Sequence, residues 1–238
     1  QAAGVRTVDL GTLPTPAVAW SVPRCGAAAG VVASASHNPA ADNGLKLIDR
    51  YGFKWEPEAE ARLEARLAEA DGLASPAGDP GDRRDRSEQR DRSAGSAGRH
   101  TADRTTDPAA GGRYLAWLVG EAGGPRALAG LRVALDAANG AAAAFAGELF
   151  ASLGAEVELH FAAPDGQNIN RACGSTHPQA IAARLATGDF DLGFAFDGDA
   201  DRALLLDERG NLHDGDAMLY LWARDLQQRG ELLVPQIV

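Results

Sequence analysis

Leu192-Gly193-Phe194-Ala195-Phe196-Asp197-Gly198-Asp199-Ala200-Asp201-Arg202-Ala203-Leu204-Leu205-Leu206 sets an acidic loop between two short apolar runs. Leu192 to Phe196 and Ala203 to Leu206 carry no charge and read as strands rather than helices. Strand-like and helix-like segments alternate on either side of this stretch, which predicts an α/β fold with mixed sheets flanked by helices. Upstream, Leu131 to Leu135 and Ala155 to Phe161 read as strands. Ala141 to Leu153 reads as a helix closed by Gly154, and Pro178 to Ala186 as a helix with Thr176 as a candidate N-cap. Downstream, a helix opens at Asp214 or Gly215 and runs to Gln228, ended by Gly230.

The amino-terminal third repeats the alternation. Val5 to Leu10 is expected as a strand and Thr15 to Arg24 as a helix with Pro16 in its first turn. Gly30 to Ala33 reads as a short buried strand and Ser34 to Gly44 as a polar loop. Leu45 to Asp49 and Phe53 to Trp55 suit a hairpin around Tyr51-Gly52. Pro57 to Ala70 suits a helix with Leu63 and Leu67 on one face, and Arg113 to Val119 another. Between them, Ser75 to Ala110 is built from Asp, Arg, Ser, Gly and Pro with almost no large apolar side chain. That composition cannot bury enough surface to offset chain entropy, so a disordered linker is expected. The predicted organisation is two similar α/β domains, 1–74 and 111–231, joined by a linker at 75–110, with 232–238 opening a further domain. Gln1 in place of Met, in what reads as the end of a helix, and the strand-like run from Leu232 to Val238 suggest a piece of a longer protein.

Composition excludes several function classes. The 238 residues carry 23 Lys and Arg against 33 Asp and Glu, a net charge of −10. A nucleic-acid binder needs a basic face, so no nucleic-acid partner is expected. The longest apolar candidate, Ala137 to Leu153, is interrupted by Asn139, Gly140, Gly147 and Glu148, so no membrane span is expected. No basic-then-apolar leader is visible. Cys25 and Cys173 lack metal-like spacing and suit two reduced thiols in a cytoplasmic protein.

Asp197, Asp199 and Asp201 stand at alternate positions and can converge on one hard cation if the loop turns tightly, with Gly198 expected to supply the backbone angles. An all-oxygen donor set suits Mg²⁺ or Mn²⁺ rather than zinc. Arg202 adds a planar cation matched to phosphate oxygens. Three other readings stay open on these residues alone. One is a solvated acidic turn. Another is an EF-hand loop with Glu208 at its twelfth position, although Arg202 stands where that loop needs Gly. The third is an aspartyl phosphatase with Asp197 as nucleophile. A second polar loop reads Ser34-Ala35-Ser36-His37-Asn38-Pro39 and closes with Asn43-Gly44-Leu45-Lys46. A serine beside histidine suits nucleophilic chemistry, but neighbours of this kind are common turn residues, and no Gly-x-Ser-x-Gly elbow is present.

Together, and in this order, the two loops resemble the α-D-phosphohexomutase superfamily, whose phosphoserine loop reads Ser-x-Ser-His-Asn-Pro then Asn-Gly-x-Lys, and whose metal loop reads Asp-Gly-Asp-x-Asp-Arg. The resemblance implies that Ser36 carries the phosphoryl group and that one of its oxygens completes a Mg²⁺ site with Asp197, Asp199 and Asp201. It further implies that Lys46 is a general acid/base, that His37 lies beside the substrate, and that Arg202 contacts phosphate. Asn168-Ile169-Asn170-Arg171-Ala172-Cys173-Gly174-Ser175-Thr176 and Val133 to Ala141 resemble the phosphoglucosamine mutase branch. That branch interconverts glucosamine 6-phosphate and glucosamine 1-phosphate through a bisphosphate, feeding cell-wall precursors. The alternatives are a mutase for mannose or glucose phosphates and an inactive truncated copy. The family's four-domain plan would leave this chain without the loops that hold the sugar's far end, so near-inactivity of the chain alone is expected. For Lys46, acid/base work calls for a pKa nearer neutrality, through burial or neighbouring cations. The resemblance extends over nearly the whole chain apart from Ser75 to Ala110 and leaves the oligomeric state open.

Overall fold

The computed structural model describes residues 5–70 and 104–231. The expected helix end at the first residues, most of the 75–110 linker and the apolar run from Leu232 lie outside them. In chain order the elements are β1 (Thr7–Asp9), α1 (Thr15–Arg24), β2 (Ala29–Ser34), β3 (Gly44–Asp49), α2 (Pro57–Ala70), β4 (Arg104–Thr106), α3 (Ala110–Glu121) and β5 (Arg132–Asp136). A 3₁₀ turn (Ala141–Ala144) follows, then α4 (Ala146–Ser152), β6 (Glu156–His160), α5 (Gln179–Leu185), β7 (Leu192–Phe196), β8 (Ala203–Asp207), β9 (Leu212–His213) and α6 (Gly215–Gln228). The mixed α/β expectation holds.

Backbone contacts divide the described chain into two units, one holding β1, α2 and β4 and the other holding every remaining element. In the first, β1 and β4 pair in parallel, Val8 opposite Thr105, with Arg104 bonded to Asp9. The strand Arg104–Thr106 lies inside the stretch read as a linker: too short and polar to stand out in sequence, it forms because a partner edge is available. In α2, Leu63 is half-buried, but Leu67, expected on the same face, is exposed.

The larger unit is built on a five-stranded sheet ordered β6-β5-β7-β8-β9, with β6, β5 and β7 parallel and β8 and β9 antiparallel. Both faces of β5 are covered. Val133 and Leu135 pack with Phe150 and Phe194 on the α4 side, while Ala134 meets Ile181 and Leu185 of α5 on the other. This is why β5 reads as a continuous apolar run rather than an alternating one. Each large aliphatic side chain fully buried here contributes about 1.5–3 kcal/mol. The chain leaves β5 for β6 on one side and then crosses to β7 on the other. The carboxyl ends of β5 and β7 therefore flank a switch in strand order, where parallel sheets leave a crevice.

Several local expectations are corrected. The helix expected over 141–153 is broken at Phe145, whose φ of −121° is not helical, into a 3₁₀ turn and a short α-helix. The main partner of β3 is β2, with Val32 opposite Lys46 and Ser34 opposite Gly44; only an Ile48–Lys54 bridge remains of the expected Phe53 to Trp55 hairpin. The serine loop, 35–43, is thus the connection of a β2–β3 ribbon packed on α1 through Val18, Val22, Val32 and Ile48. Thr176 does not cap α5, which follows Pro178 with no side-chain cap, whereas Asp214 caps α6 by accepting from Ala217 N–H at 3.1 Å. The two residues of β9, after a turn at Gly210, left no period to read.

Candidate active site

Every residue of the two loops belongs to the larger unit. Asp197 closes β7, and the chain reverses over 198–202 before β8. Asp197 Oδ1 accepts from the Arg202 N–H at 3.1 Å, Asp197 N–H donates to the Arg202 carbonyl at 3.3 Å, and Ala200 N–H donates to the Asp197 carbonyl at 3.0 Å. The left-handed residue of this turn is Ala200, φ 55°, not Gly198. Gly198 is required for a different reason. A Cβ there would strike the Ser36 carbonyl oxygen and the Ile169 side chain, and a Cβ on Gly140 would strike the Gly198 backbone. Gly198 N–H instead donates to the Ser36 carbonyl at 3.1 Å, and Ala141 N–H donates to the Gly198 carbonyl at 2.8 Å.

Behind this turn, Asp136 at the end of β5 is fully buried. Its oxygens accept from Ala138 N–H at 2.9 Å and Gly174 N–H at 2.8 Å, fixing the bend after β5 and the 168–177 loop. Burial pushes its pKa up against the lowering effect of those bonds. The neighbouring Cys173 thiol is also buried and is raised to about 11, by burial and by Asp136.

One oxygen from each of Asp197, Asp199 and Asp201 lies within 4.8 Å of the others. Asp197 and Asp199 are buried; Asp201 is the exposed member. Burial first, and then the charges of Asp201 and Asp199, raise the Asp197 pKa to about 6. For Asp199 burial acts upward too, but hydrogen bonds from Lys46 and Thr15 outweigh it and hold its carboxyl below the usual range. Asp199 Oδ1 is buried with no hydrogen-bond partner among the described residues. An unpaired carboxylate oxygen inside a protein costs several kcal/mol unless a cation or donor meets it, by order of magnitude. A divalent ion fits this donor set: all oxygen, three carboxylates, one orphaned acceptor.

The serine loop approaches from the β2–β3 ribbon. Ser36, left-handed at φ 54°, brings its Oγ within 3.5 Å of Asp197 Oδ2 and 3.4 Å of Lys46 Nζ. Lys46, on β3, bridges Asp199 Oδ2 at 2.5 Å and Asp201 Oδ2 at 2.7 Å. Burial lowers its pKa, but those two carboxylates more than reverse this and leave it above its usual value. The expected shift toward neutrality is therefore corrected in direction, because anions rather than cations face the amine. His37 is exposed beside Ser36, and Arg202 is exposed with Nε 3.7 Å from Asp201 Oδ1. Ser36, His37, Lys46, Lys54 and Arg202 line one cavity of about 550 Å³ together with Thr15.

Two further residues belong to this site: Thr15, outside both loop motifs, and Asn170, inside the Asn168 to Thr176 segment but with no site role expected of it. Thr15, at the start of α1, donates from Oγ1 to Asp199 Oδ2 at 2.5 Å and from its N–H to the Asp199 carbonyl at 2.9 Å. Asn170 donates from Nδ2 to the carbonyls of Ser36 at 2.7 Å and Asn38 at 2.9 Å. Both bonds cross more than 130 residues, so no sequence window contains them.

Residues 1–73 match phosphoglucomutase/phosphomannomutase α/β/α domain I, and residues 119–210 match domain II of the same family. The chain is 42% identical over 231 residues, 97% of its length, to the phosphoglucosamine mutase of Ectopseudomonas mendocina, and covers 47% of that protein. It is 44% identical over 232 residues to that of Deinococcus radiodurans, covering 97% of this chain and 46% of the relative. The chain thus spans about half the length of these curated relatives. A crystal structure of a phosphoglucomutase/phosphomannomutase family protein from Burkholderia thailandensis superposes with a TM-score of 0.67 at 25% identity, covering 96% of this chain and 46% of that one. A putative phosphomannomutase from Thermus thermophilus shares the fold, with a TM-score of 0.72 at 21% identity over 95% of this chain and 47% of its own. With two consecutive domains of one family matched in order, and with likeness to curated relatives over nearly the whole of this chain, the chain belongs to the phosphoglucomutase/phosphomannomutase family, the α-D-phosphohexomutases.

Proposed function

We propose that this chain carries the phosphoserine and metal-binding half of a phosphoglucosamine mutase, with Ser36 as the phosphoryl carrier. The observation that supports it most directly is the approach of Ser36 Oγ both to Lys46 Nζ, at 3.4 Å, and to Asp197 Oδ2, at 3.5 Å, the last from a loop about 160 residues away. Asp197, Asp199 and Asp201 would hold Mg²⁺, which when bound supplies positive charge against the phosphoryl oxygens.

The chain's own groups divide the remaining work. A sugar hydroxyl oxygen bonds to phosphorus as the bond from phosphorus to Ser36 Oγ breaks. One proton passes, by way of Lys46, from the sugar oxygen to the Ser36 oxygen. Lys46 Nζ, 3.4 Å from Ser36 Oγ, would give a proton to the departing Ser36 oxygen and take one from the attacking hydroxyl. The return half-reaction runs these steps backward on the other phosphate of the bisphosphate. His37 and Arg202, lining the same cavity, orient the sugar phosphate; Arg202 presents a planar fork to its oxygens. Transfer of this kind asks a protein mainly for alignment and charge. The net charge of −10 does not oppose an anionic substrate, because Lys46, Lys54 and Arg202 line this cavity against the one carboxylate of Asp201, which a bound cation would offset. The amino-sugar preference is supported by the 42–44% identity to relatives named phosphoglucosamine mutase.

The test is an intact mass of a chain of the relatives' full length before and after incubation with a hexose 1,6-bisphosphate and Mg²⁺, followed by peptide mapping. One phosphoryl group on Ser36, stable to acid and hydroxylamine, is expected. A hydroxylamine-labile phosphate on Asp197 would transfer the reading to an aspartyl phosphatase, and no uptake at all would end the mutase reading. Turnover of glucosamine, glucose and mannose 6-phosphates by a chain of the relatives' full length then decides the sugar.

A further inference from the structure

We infer that Asn170 is the positioning residue of the serine loop: its amide holds the Ser36 backbone in the conformation from which phosphoryl transfer occurs. The inference rests on Ser36 being the phosphoryl carrier.

Ser36 needs to be held. A non-glycine residue at φ 54° costs on the order of 1 kcal/mol or more, and persists only where its surroundings over-determine it. The loop supplies little of that constraint itself. Ser34 Oγ accepts from Ser36 N–H at 2.9 Å and Asn38 N–H donates to the Ala35 carbonyl at 2.9 Å, while the bonds of Asp42 and Asn43 stay inside the loop. The Ser36 carbonyl is gripped from outside, by Gly198 N–H at 3.1 Å and Asn170 Nδ2 at 2.7 Å. The second Asn170 amide bond, to the Asn38 carbonyl at 2.9 Å, fixes the loop two residues further on. These two carbonyls bracket His37, so the amide clamps the turn that presents both Ser36 and His37.

Asn170 is built for this rather than for filling space. It is only 7% exposed, itself left-handed at φ 56°, and tied by its own N–H to the Ala138 carbonyl at 2.9 Å. Ala138 in turn is fixed by Asp136, so the clamp stands on the same sheet end that carries Asp197. The amide oxygen of Asn170 is buried and unpaired. A buried acceptor left unpaired is unfavourable, and an apolar side chain of similar shape would avoid it. What the amide supplies, and an apolar side chain would not, is two donors aimed at two loop carbonyls. Because both amide donors are committed, the side chain has one orientation and transmits the position of the sheet end to Ser36. Displacement of a reacting atom by about 1 Å costs roughly a hundredfold in rate.

The test is made in a chain of the relatives' full length and uses Asn170→Asp, which keeps the shape but replaces the donor with a carboxylate oxygen facing two carbonyls, and Asn170→Ser as a smaller second variant. Three readouts are taken: the rate of Ser36 phosphorylation by a hexose 1,6-bisphosphate, Mn²⁺ affinity, and hydrogen exchange over residues 34–43. The expected result for both variants is phosphorylation slowed about tenfold to a hundredfold, exchange at 34–43 accelerated, and Mn²⁺ affinity within about twofold of the unaltered chain, because the three aspartates keep their own supports. Unchanged exchange at 34–43 together with unchanged phosphorylation in either folded variant overturns the inference and leaves the mutase reading standing. If the unaltered chain takes up no phosphate, the mutase reading falls instead. The clamp is then judged on exchange alone: acceleration at 34–43 retains it as a hold on the loop, and no change removes it.

Discussion

The two loops that meet at the site are held in opposite ways. The acidic loop ends a strand inside a five-stranded sheet, its first and second aspartates are buried, and its turn is closed by bonds among its own residues. The serine loop hangs from a two-stranded ribbon, a form that is marginal without support, with His37 and Asn38 exposed. Its Ser36 carbonyl is held from outside the ribbon, by Gly198 and Asn170, while Lys46 reaches Ser36 Oγ from the ribbon's own second strand. One loop is a fixed reference and the other is fitted to it. That division suits a phosphoryl carrier, whose charge and volume change with every transfer while the metal ligands stay in place.

The contact most able to break this arrangement is Gly198. Gly198→Ala places a methyl against the Ser36 carbonyl and Ile169, with backbone rather than a flexible side-chain tip as the obstacle. Overpacking of that kind costs about 1–3 kcal/mol. Because the acidic turn is the stiffer side, the displacement should fall on the serine loop. Ser36 phosphorylation is expected to drop by about a hundredfold or more, with a lowered thermal midpoint. Wild-type phosphorylation in a folded Gly198→Ala protein would mean that the loops do not meet as described.

Lys46 offers a second, smaller intervention. Its ammonium bridges Asp199 and Asp201, two of the three carboxylates that would receive a cation, so a divalent ion entering must break or rearrange those bonds. Lys46→Met removes the competitor. Mn²⁺ is expected to bind about tenfold more tightly, the scale of one charge-assisted bond no longer sacrificed, while the metal-free protein loses stability because its acidic cluster has lost its counter-charge. Titration calorimetry reads the first effect and thermal unfolding in chelator the second. Weaker Mn²⁺ binding would make Lys46 a support of the cation site rather than its rival.

The same contrast explains what could be read in the sequence. Ser36, Lys46, Asp197, Asp199, Asp201 and Arg202 sit in two loop motifs, ambiguous singly but marked by their joint resemblance to the phosphohexomutase loops, and the structure brings both motifs to one place. Thr15 and Asn170 were invisible as site residues because their value lies in bonds across 184 and 134 positions. Gly198 was noticed for the wrong physical reason: composition suggests a turn angle, whereas the structure uses the absence of a Cβ at a crossing of two backbones. The Lys46 shift had the wrong sign for a related cause, since burial can be guessed from sequence but the two carboxylates facing the amine cannot. In the fold, apolar strands such as β5 and β7 were legible, while β4 and β9 are too short to show a period.

The smallest expected effect concerns protons on the fixed loop. Asp197 has its pKa raised to about 6 from an ordinary 3.8, by burial and by Asp201 and Asp199. Between those values the folded chain holds a proton that the unfolded chain has released. Stability conferred by the protonated form is therefore complete below the unfolded pKa and is lost as pH rises toward 6. In chelator, the unfolding midpoint of the unaltered protein is expected to fall across that window relative to Asp197→Asn, which cannot ionise. Saturating Mn²⁺ should shrink the difference in slope, because the ion favours the charged carboxylate that burial opposes. Parallel midpoints in chelator would show that water or rearrangement already relieves Asp197. The sheet end would then be less rigid a reference than its burial implies, and the asymmetry between the two loops would be correspondingly weaker.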